Sequence, residues 1–220
     1  MRPVFLAMTS LLFTSALSAQ AQRLPLDSTG GLRLHNVKAE AVTLDGKRGV
    51  RVTGTQPDSE QLAVIDGVEF SSGVIEAEVA GALAPDAGAL ARGFVGIAFR
   101  VQPDLRTYDA LYIRPTNGRA EDQERRNHAT QYISHPDWTW DRLRKETPGR
   151  YESYVDLQPN VWTKIKIEVR GDHARLYVND NPQPVLIVND VKSGANAKGG
   201  IALWVGPGTI GHFRHLTVTR

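Results

Sequence analysis

The residues of this chain best suited to chemistry fall into three groups: a pair of carboxylates, a run of arginines and a set of aromatics. Glu76 and Glu78 stand two apart in Gly73-Val-Ile-Glu-Ala-Glu-Val-Ala80. Glycoside hydrolysis uses two carboxyl groups roughly 5 to 9.5 Å apart, one of them an acid. Residues two apart on a strand share a face and reach that separation, although a solvated sheet face carries the same pattern. Asp122, Glu124 and Asp137 are further acids, and nothing in their spacing singles out a pair. Arg114, Arg119, Arg125 and Arg126, with His128, form the densest polar concentration. A guanidinium fork suits the hydroxyl pairs or carboxylate of a sugar. Interleaved with Glu121, Asp122 and Glu124, the same run also reads as a solvated, ion-paired loop. Tyr132, Trp138, Trp140 and Trp204 are candidates to stack on the apolar faces of pyranose rings, and Trp138 and Trp140 read equally as a plug against a sheet. Trp162 reads as a packing residue.

Two strands must position these groups. In Val95-Gly-Ile-Ala-Phe-Arg-Val101 the residues Val95, Ile97, Phe99 and Val101 alternate with Gly96, Ala98 and Arg100. In Tyr108-Asp-Ala-Leu-Tyr-Ile-Arg114, Leu111 and Ile113 oppose Tyr108, Ala110, Tyr112 and Arg114. Period-2 alternation marks half-buried strands, and the short connection between them closes a hairpin. Its polar face has a floor of small residues ringed by Arg100, Tyr112 and Arg114. Trp204 alternates away from Leu203 and Val205 and joins Tyr112 on that face. The expected site is therefore a concavity where Arg100, Tyr112 and Arg114 converge. The segment from His128 to Trp138, with Tyr132 and His135, is expected to close over it. Arg126 completes the expected ligand contacts.

Composition sets the frame. Residues 1–22 read as a signal peptide, with Arg2, the apolar run Val4 to Leu17 and small residues near Ala19 and Ala21. The expectation is export to the periplasm or beyond, with residues 23–220 forming one domain. With 26 Lys and Arg against 24 Asp and Glu, the formal charge is +2, which argues against a nucleic-acid or membrane-surface role. The chain has no cysteine, so an exported domain of this size relies on its apolar core. No metal or cofactor is expected: His212 and His215 fall on opposite faces of a strand, and no Gly-rich phosphate loop or serine nucleophile elbow is present.

Strand signals recur along the chain. Gly73 to Ala80, Trp162 to Arg170 and His173 to Val178 alternate cleanly, and Asp45-Gly46 and Gly171-Asp172 mark turns. Residues 116–127 read as a charged connection. One short helix is expected between Pro136 and Glu146, with Asp137 as its N-cap. About a dozen short strands and at most one short helix predict an all-β sandwich of two antiparallel sheets.

Several segments carry a family resemblance: Val74-Ile-Glu-Ala-Glu-Val79, Gly96-Ile-Ala-Phe-Arg100, Trp162-Thr-Lys-Ile-Lys-Ile, Arg175-Leu-Tyr-Val-Asn179 and Gly200-Ile-Ala-Leu-Trp-Val-Gly-Pro-Gly-Thr-Ile-Gly-His-Phe213. In order and type they resemble the concanavalin A-like jelly rolls, and within them the 3-keto-disaccharide hydrolase-type exported domains. The resemblance implies a carbohydrate-active domain that hydrolyses a glycoside or an oxidised disaccharide, with His128 or Asp122 as acid or base. The Glu-x-Asp-x-x-Glu signature of laminarinase-like jelly rolls is absent, since Gly81 follows Glu76-Ala-Glu78 where its third acid would stand. The alternative is a lectin-like domain in which the same face recognises a glycan or a protein partner without cleavage.

Overall fold

Residues 21–56 and 59–220 are described by a computed structural model. The expected signal segment lies outside these residues except for Ala21 and Gln22, which open β1 (Ala21–Leu24). The chain continues through β2 (Leu32–His35), β3 (Val37–Leu44), β4 (Lys47–Gly54), β5 (Leu62–Ile65), β6 (Gly73–Leu83), β7 (Val95–Val101) and β8 (Tyr108–Ile113). After α1 (Gln123–Asn127) come β9 (Thr130–His135), α2 (Trp140–Glu146), β10 (Glu152–Ser153), β11 (Thr163–Arg170) and β12 (His173–Val178). β13 (Leu186–Val188), β14 (Gly200–Val205) and β15 (Thr209–Thr219) complete it.

The strands form two antiparallel sheets. The first runs β13-β12-β11-β6-β15-β4-β3, with β1 also paired to β15; the second runs β10-β9-β8-β7-β14-β5-β2. The alternation in the sequence explains the layering. In β11, Thr163, Ile165, Ile167 and Val169 are buried while Lys164, Lys166 and Glu168 are half-exposed. Ile75, Ala77 and Val79 of β6 are buried likewise, with Glu76 and Glu78 turned outward. Glu78 meets Arg214 and His215 there, so these two acids belong to the outer face of the first sheet. The inward residues join Ile97, Phe99, Leu111 and Leu203 of the second sheet in one apolar cluster. Each large aliphatic side chain so buried contributes about 1.5–3 kcal/mol, which lets a cysteine-free sandwich hold together.

Among the described residues α-helix is confined to two short segments, one more than expected, beside a 3-10 turn at Pro115–Asn117. α2 falls in the expected window but begins at Trp140, with Thr139 rather than Asp137 at the N-cap. α1 forms inside the charged connection because Asp122 accepts a hydrogen bond from the Arg125 amide at 2.6 Å, satisfying a donor that the helix start would leave open. The segment expected to close over the site does something else. Its residues Thr130–His135 are β9, which lies within the second sheet between β8 and β10.

The outer face of the second sheet is covered along its middle strands. Every residue of β7 and β8 is buried, because the loops before β7, after β9 and after β14 rise over that face and enclose a cleft. Among the described residues, no helix is long and apolar enough to cross a membrane.

Candidate ligand-binding site

The cleft floor is set by one cross-strand row. Gly96 pairs with Tyr112 on one side and Trp204 on the other. A Cβ at Gly96 would sit 2.5 Å from the Tyr112 Cα and Cβ. Without one, the rings of Tyr112 and Trp204 meet across the intervening strand, their centroids 4.5 Å apart and their planes 25° off parallel. Phe94 packs edge-on against Tyr112 at 6.0 Å. Above this floor the cleft holds about 900 Å³, walled by the loop carrying Asp86 and Leu90, by Thr139, Trp140 and Asp141, and by Ser59, Glu60 and Gln61. Trp140 is 43% exposed, the most open aromatic of the lining.

Glu60 anchors the polar side. One of its oxygens accepts from the Tyr108 hydroxyl, and the other lies 2.8 Å from His135 Nδ1. Trp204 Nε1 donates to the Tyr108 oxygen at 3.1 Å, and the His135 ring stacks on Tyr108 at 5.1 Å. Burial pushes the Glu60 carboxyl up, but the His135 and Tyr108 contacts outweigh it and hold the group below the ordinary glutamate range. The Thr139 hydroxyl beside Asp141 lowers that carboxyl too. Both acids are thus ionised at neutral pH. Burial and the Glu60 charge push the Tyr108 phenol well up, so it remains a donor.

At the end of the sheet lies a second, drier network. Arg114 donates to Glu152 Oε1 at 3.0 Å, Gln131 Oε1 at 2.9 Å, the Tyr112 hydroxyl oxygen at 3.2 Å and the His128 carbonyl at 3.0 Å. Arg144 also grips Glu152 and lies over the Trp140 ring at 4.8 Å. Burial raises the Glu152 carboxyl, while Arg144 and Arg114 pull it below its ordinary range by a larger amount. The 3% exposed Arg114 therefore fixes the Tyr112 hydroxyl from beneath and has no donor turned to the cleft.

Of the residues expected to share a concavity, Tyr112, His135 and Trp204 line the cleft. Arg100 does not, which breaks the expected triad of Arg100, Tyr112 and Arg114. It sits where β7 slips register against β14, with φ +56°, and such a bulge ends the alternation that parity reading assumes. Its guanidinium donates to the carbonyls of Ser71, Gly171 and Gly194 and to Ser193 Oγ, 4.0 Å from Asp109. Tyr132 is on the inward face, donating to Asp109 at 2.6 Å and accepting from the Lys192 amide. Trp138 packs partly against the core, with Arg142 and Lys192 over its ring at 4.0 and 4.5 Å. Arg126 pairs with the Tyr154 hydroxyl. Asp122 caps α1. His128 lies 3.4 Å from Glu152, and burial lowers its pKa despite the pull of that acid. None of these last five is in the cleft lining.

Glu60, Phe94 and Asp141 went unnamed in the sequence. Glu60 acts through contacts 48 and 75 positions away, which local pattern cannot show. Phe94 stands one residue before β7 with the parity of Gly96, so carrying the alternation back by one residue would have found it. Asp141 could have been found as the acidic residue in the first turn after Trp140. Among the described residues, no group of three or more histidine or acidic side chains is placed to hold a metal ion.

No protein-family model matches the chain, and no curated protein sequence matches it. Solved structures do resemble it in fold. It is similar to the carbohydrate-binding module CBM66 from Bacillus subtilis, at 14% identity and TM-score 0.60, over 86% of this chain and 95% of that one. A Bacillus subtilis protein of unknown function with a galectin-like fold matches at 14% identity and TM-score 0.56, over 90% and 94%. A Parabacteroides distasonis protein provisionally assigned as a glycosyl hydrolase matches at 11% and 0.53, over 90% and 98%. The fold is a lectin- and galectin-like jelly roll of the concanavalin A-like kind.

Proposed function

We propose that this is an exported saccharide-binding domain that holds its ligand in the cleft above Tyr112 and Trp204 and does not cleave it. The observation that carries this reading is the pairing of an aromatic floor and the open Trp140 face with an ionised Glu60 fixed by Tyr108 and His135. Sugars present apolar C–H faces and rings of hydroxyl donors, and this cleft offers a partner for each. A similar fold belongs to a carbohydrate-binding module, which supports the class of ligand. Export rests on the signal-like N-terminal stretch of the sequence.

Hydrolysis, including the 3-keto-disaccharide reaction that the resemblance implies, calls for a carboxylic acid kept protonated beside the leaving oxygen. Glu60 and Asp141 are shifted the other way, and Asp122 and His128 lie outside the cleft. These features favour binding over catalysis. A glycan array on the mature protein, with product analysis of every hit, tests both halves. The expected result is retained glycan that stays chemically intact and is held about tenfold more weakly by Trp140→Ala. Release of shorter sugars would overturn the non-catalytic half, and an array without hits would overturn the whole.

A further inference from the structure

The cleft has an unequal supply of hydrogen-bonding groups, and this inequality bears on what it holds. Glu60, Asp86 and Asp141 line it, yet among the described residues none of the chain's lysines or arginines does. The chain as a whole has an excess of base, 26 to 24, so the acidity of the cleft is local. The cations of neighbouring segments are engaged elsewhere. Arg144 and Arg114 are bound to Glu152, and Arg92 donates to the Ala89 and Ala91 carbonyls. His135 is the lone basic side chain of the lining, and its Nδ1 is held by Glu60.

One neutral side chain repeats the pattern. Gln61 is 3% exposed and lines the cleft. Its amide nitrogen donates to the Gln56 carbonyl, while its Oε1 has no donor among the described residues. The strongest donors facing the floor are already spent: the Trp204 indole on Tyr108, and Tyr108 on Glu60. A cleft lined by carboxylates and by a buried acceptor without a donor favours an occupant that brings donors.

We infer that the preferred ligand is a saccharide carrying free amino groups, held through ammonium contacts to Glu60, Asp86 and Asp141, and that uronate or sulfated sugars are rejected. This rests on the reading of the cleft as a saccharide site. An ammonium supplies three donors and a positive charge to a recess that has acceptors and negative charge. A carboxylate or sulfate brings acceptors and like charge to the same recess.

Calorimetric titration at about pH 6, where a sugar amine is protonated, compares a glucosamine tetramer, its N-acetylated counterpart and a tetragalacturonate. The aminated tetramer is expected to bind at least about tenfold more tightly than the acetylated one, with no measurable binding of the uronate. Raising salt from about 0.05 to 0.5 M should narrow that gap, because the Debye length falls well below the width of the cleft. The Asp86→Asn/Asp141→Asn double variant should narrow it as well. Both residues are exposed, so the fold survives the change, and circular dichroism confirms it. Equal or tighter binding of the acetylated or uronate tetramer overturns the inference and leaves the saccharide reading in place. An array hit confined to sugars without amines does the same. An array that retains nothing sinks both.

Discussion

Arg100 and Arg114 end adjacent strands, and both are buried to within 3% of full coverage, yet they belong to different parts of the molecule. Arg114 keeps the parity of β8 and lies under the cleft face, bracing Tyr112 and gripping Glu152. Arg100 sits on a bulge and turns to the other side, where it ties Ser71, Gly171, Ser193 and Gly194 together at one end of the sandwich. Their acidic partners respond in opposite ways. Asp109, near Arg100, is raised by burial despite hydrogen bonds from Ser193 and Tyr132. Glu152 is lowered, because two arginines outweigh its burial. The same residue type at the same kind of position thus serves as a clamp between loops in one place and as a brace for a site in the other.

The clamp has the larger expected effect. Arg100→Ala removes hydrogen bonds to four acceptors and leaves Asp109 without its cation, a loss of roughly 3–5 kcal/mol for a buried pair broken on one side. For a domain of this size each kcal/mol corresponds to about 2–4 °C, so the melting temperature should fall by roughly 6–20 °C. Ligand affinity in the protein that stays folded should be unchanged. An intact melting curve with abolished binding would return Arg100 to the site and erase the contrast.

The two acids give a sharper test through pH. Glu152 has a folded pKa below its unfolded value, so its stabilisation is present above about pH 4.5 and drains away as pH falls through the folded value. Asp109 has a raised folded pKa, so its contribution is full below about pH 3.9 and is lost as pH rises through the folded value. Glu152→Gln should flatten the acid limb of stability against pH, and Asp109→Asn should steepen it. Glu152→Gln is also expected to cost about 2–3 kcal/mol at neutral pH, less than Arg100→Ala, because Arg114 keeps three other acceptors. Denaturant midpoints measured from about pH 3 to 7 read both slopes. Slopes of the same sign would mean that the two pairs are alike after all.

Parity explains what the sequence revealed and where it stopped. In β11 and β6 one face meets the core and the other meets water, so alternation identified the inward residues. It also placed Tyr112 and Trp204 on a common face, since nothing between Gly96 and Tyr112 or Trp204 slips. At Arg100 the bulge defeats it, and no residue type there announces a left-handed φ. In β9 five consecutive residues are buried, so Tyr132 and Gln131 could not be told apart by pattern, and only pairing puts Tyr132 inward. Glu60 precedes a strand in a polar stretch, and its meeting with Tyr108 and His135 exists only once three distant segments are assembled.

On the cleft side the effects should appear in affinity and spare stability. Trp140 is exposed and stacks on Arg144 from its own helix. Trp140→Ala is expected to weaken saccharide binding about tenfold, near 1.4 kcal/mol, with a melting temperature within about 2 °C of the parent. A large loss of stability instead would make Trp140 a plug over the sheet and remove it from the ligand face.

The smallest expected effect falls on Asp122, where a cap and a catalytic acid make opposite demands. Asp122 accepts from the Arg125 amide at the start of a five-residue helix whose side chains are not buried. Loss of such a cap costs about 0.5–2 kcal/mol, and α1 is short and peripheral enough to place Asp122→Ala at the low end. Asp122→Ser, which can cap as well, should restore most of it. A proton donor in a hydrolase follows another rule. Serine would not replace it, and turnover of any sugar hit would fall by about 10²-fold or more in both variants. The helix-cap role therefore requires alanine and serine to differ in thermal stability while glycan binding stays at the parent level in each. If the two variants instead share one large functional loss at unchanged stability, Asp122 acts on the ligand, and the chemistry of this protein lies at α1 and not in the cleft.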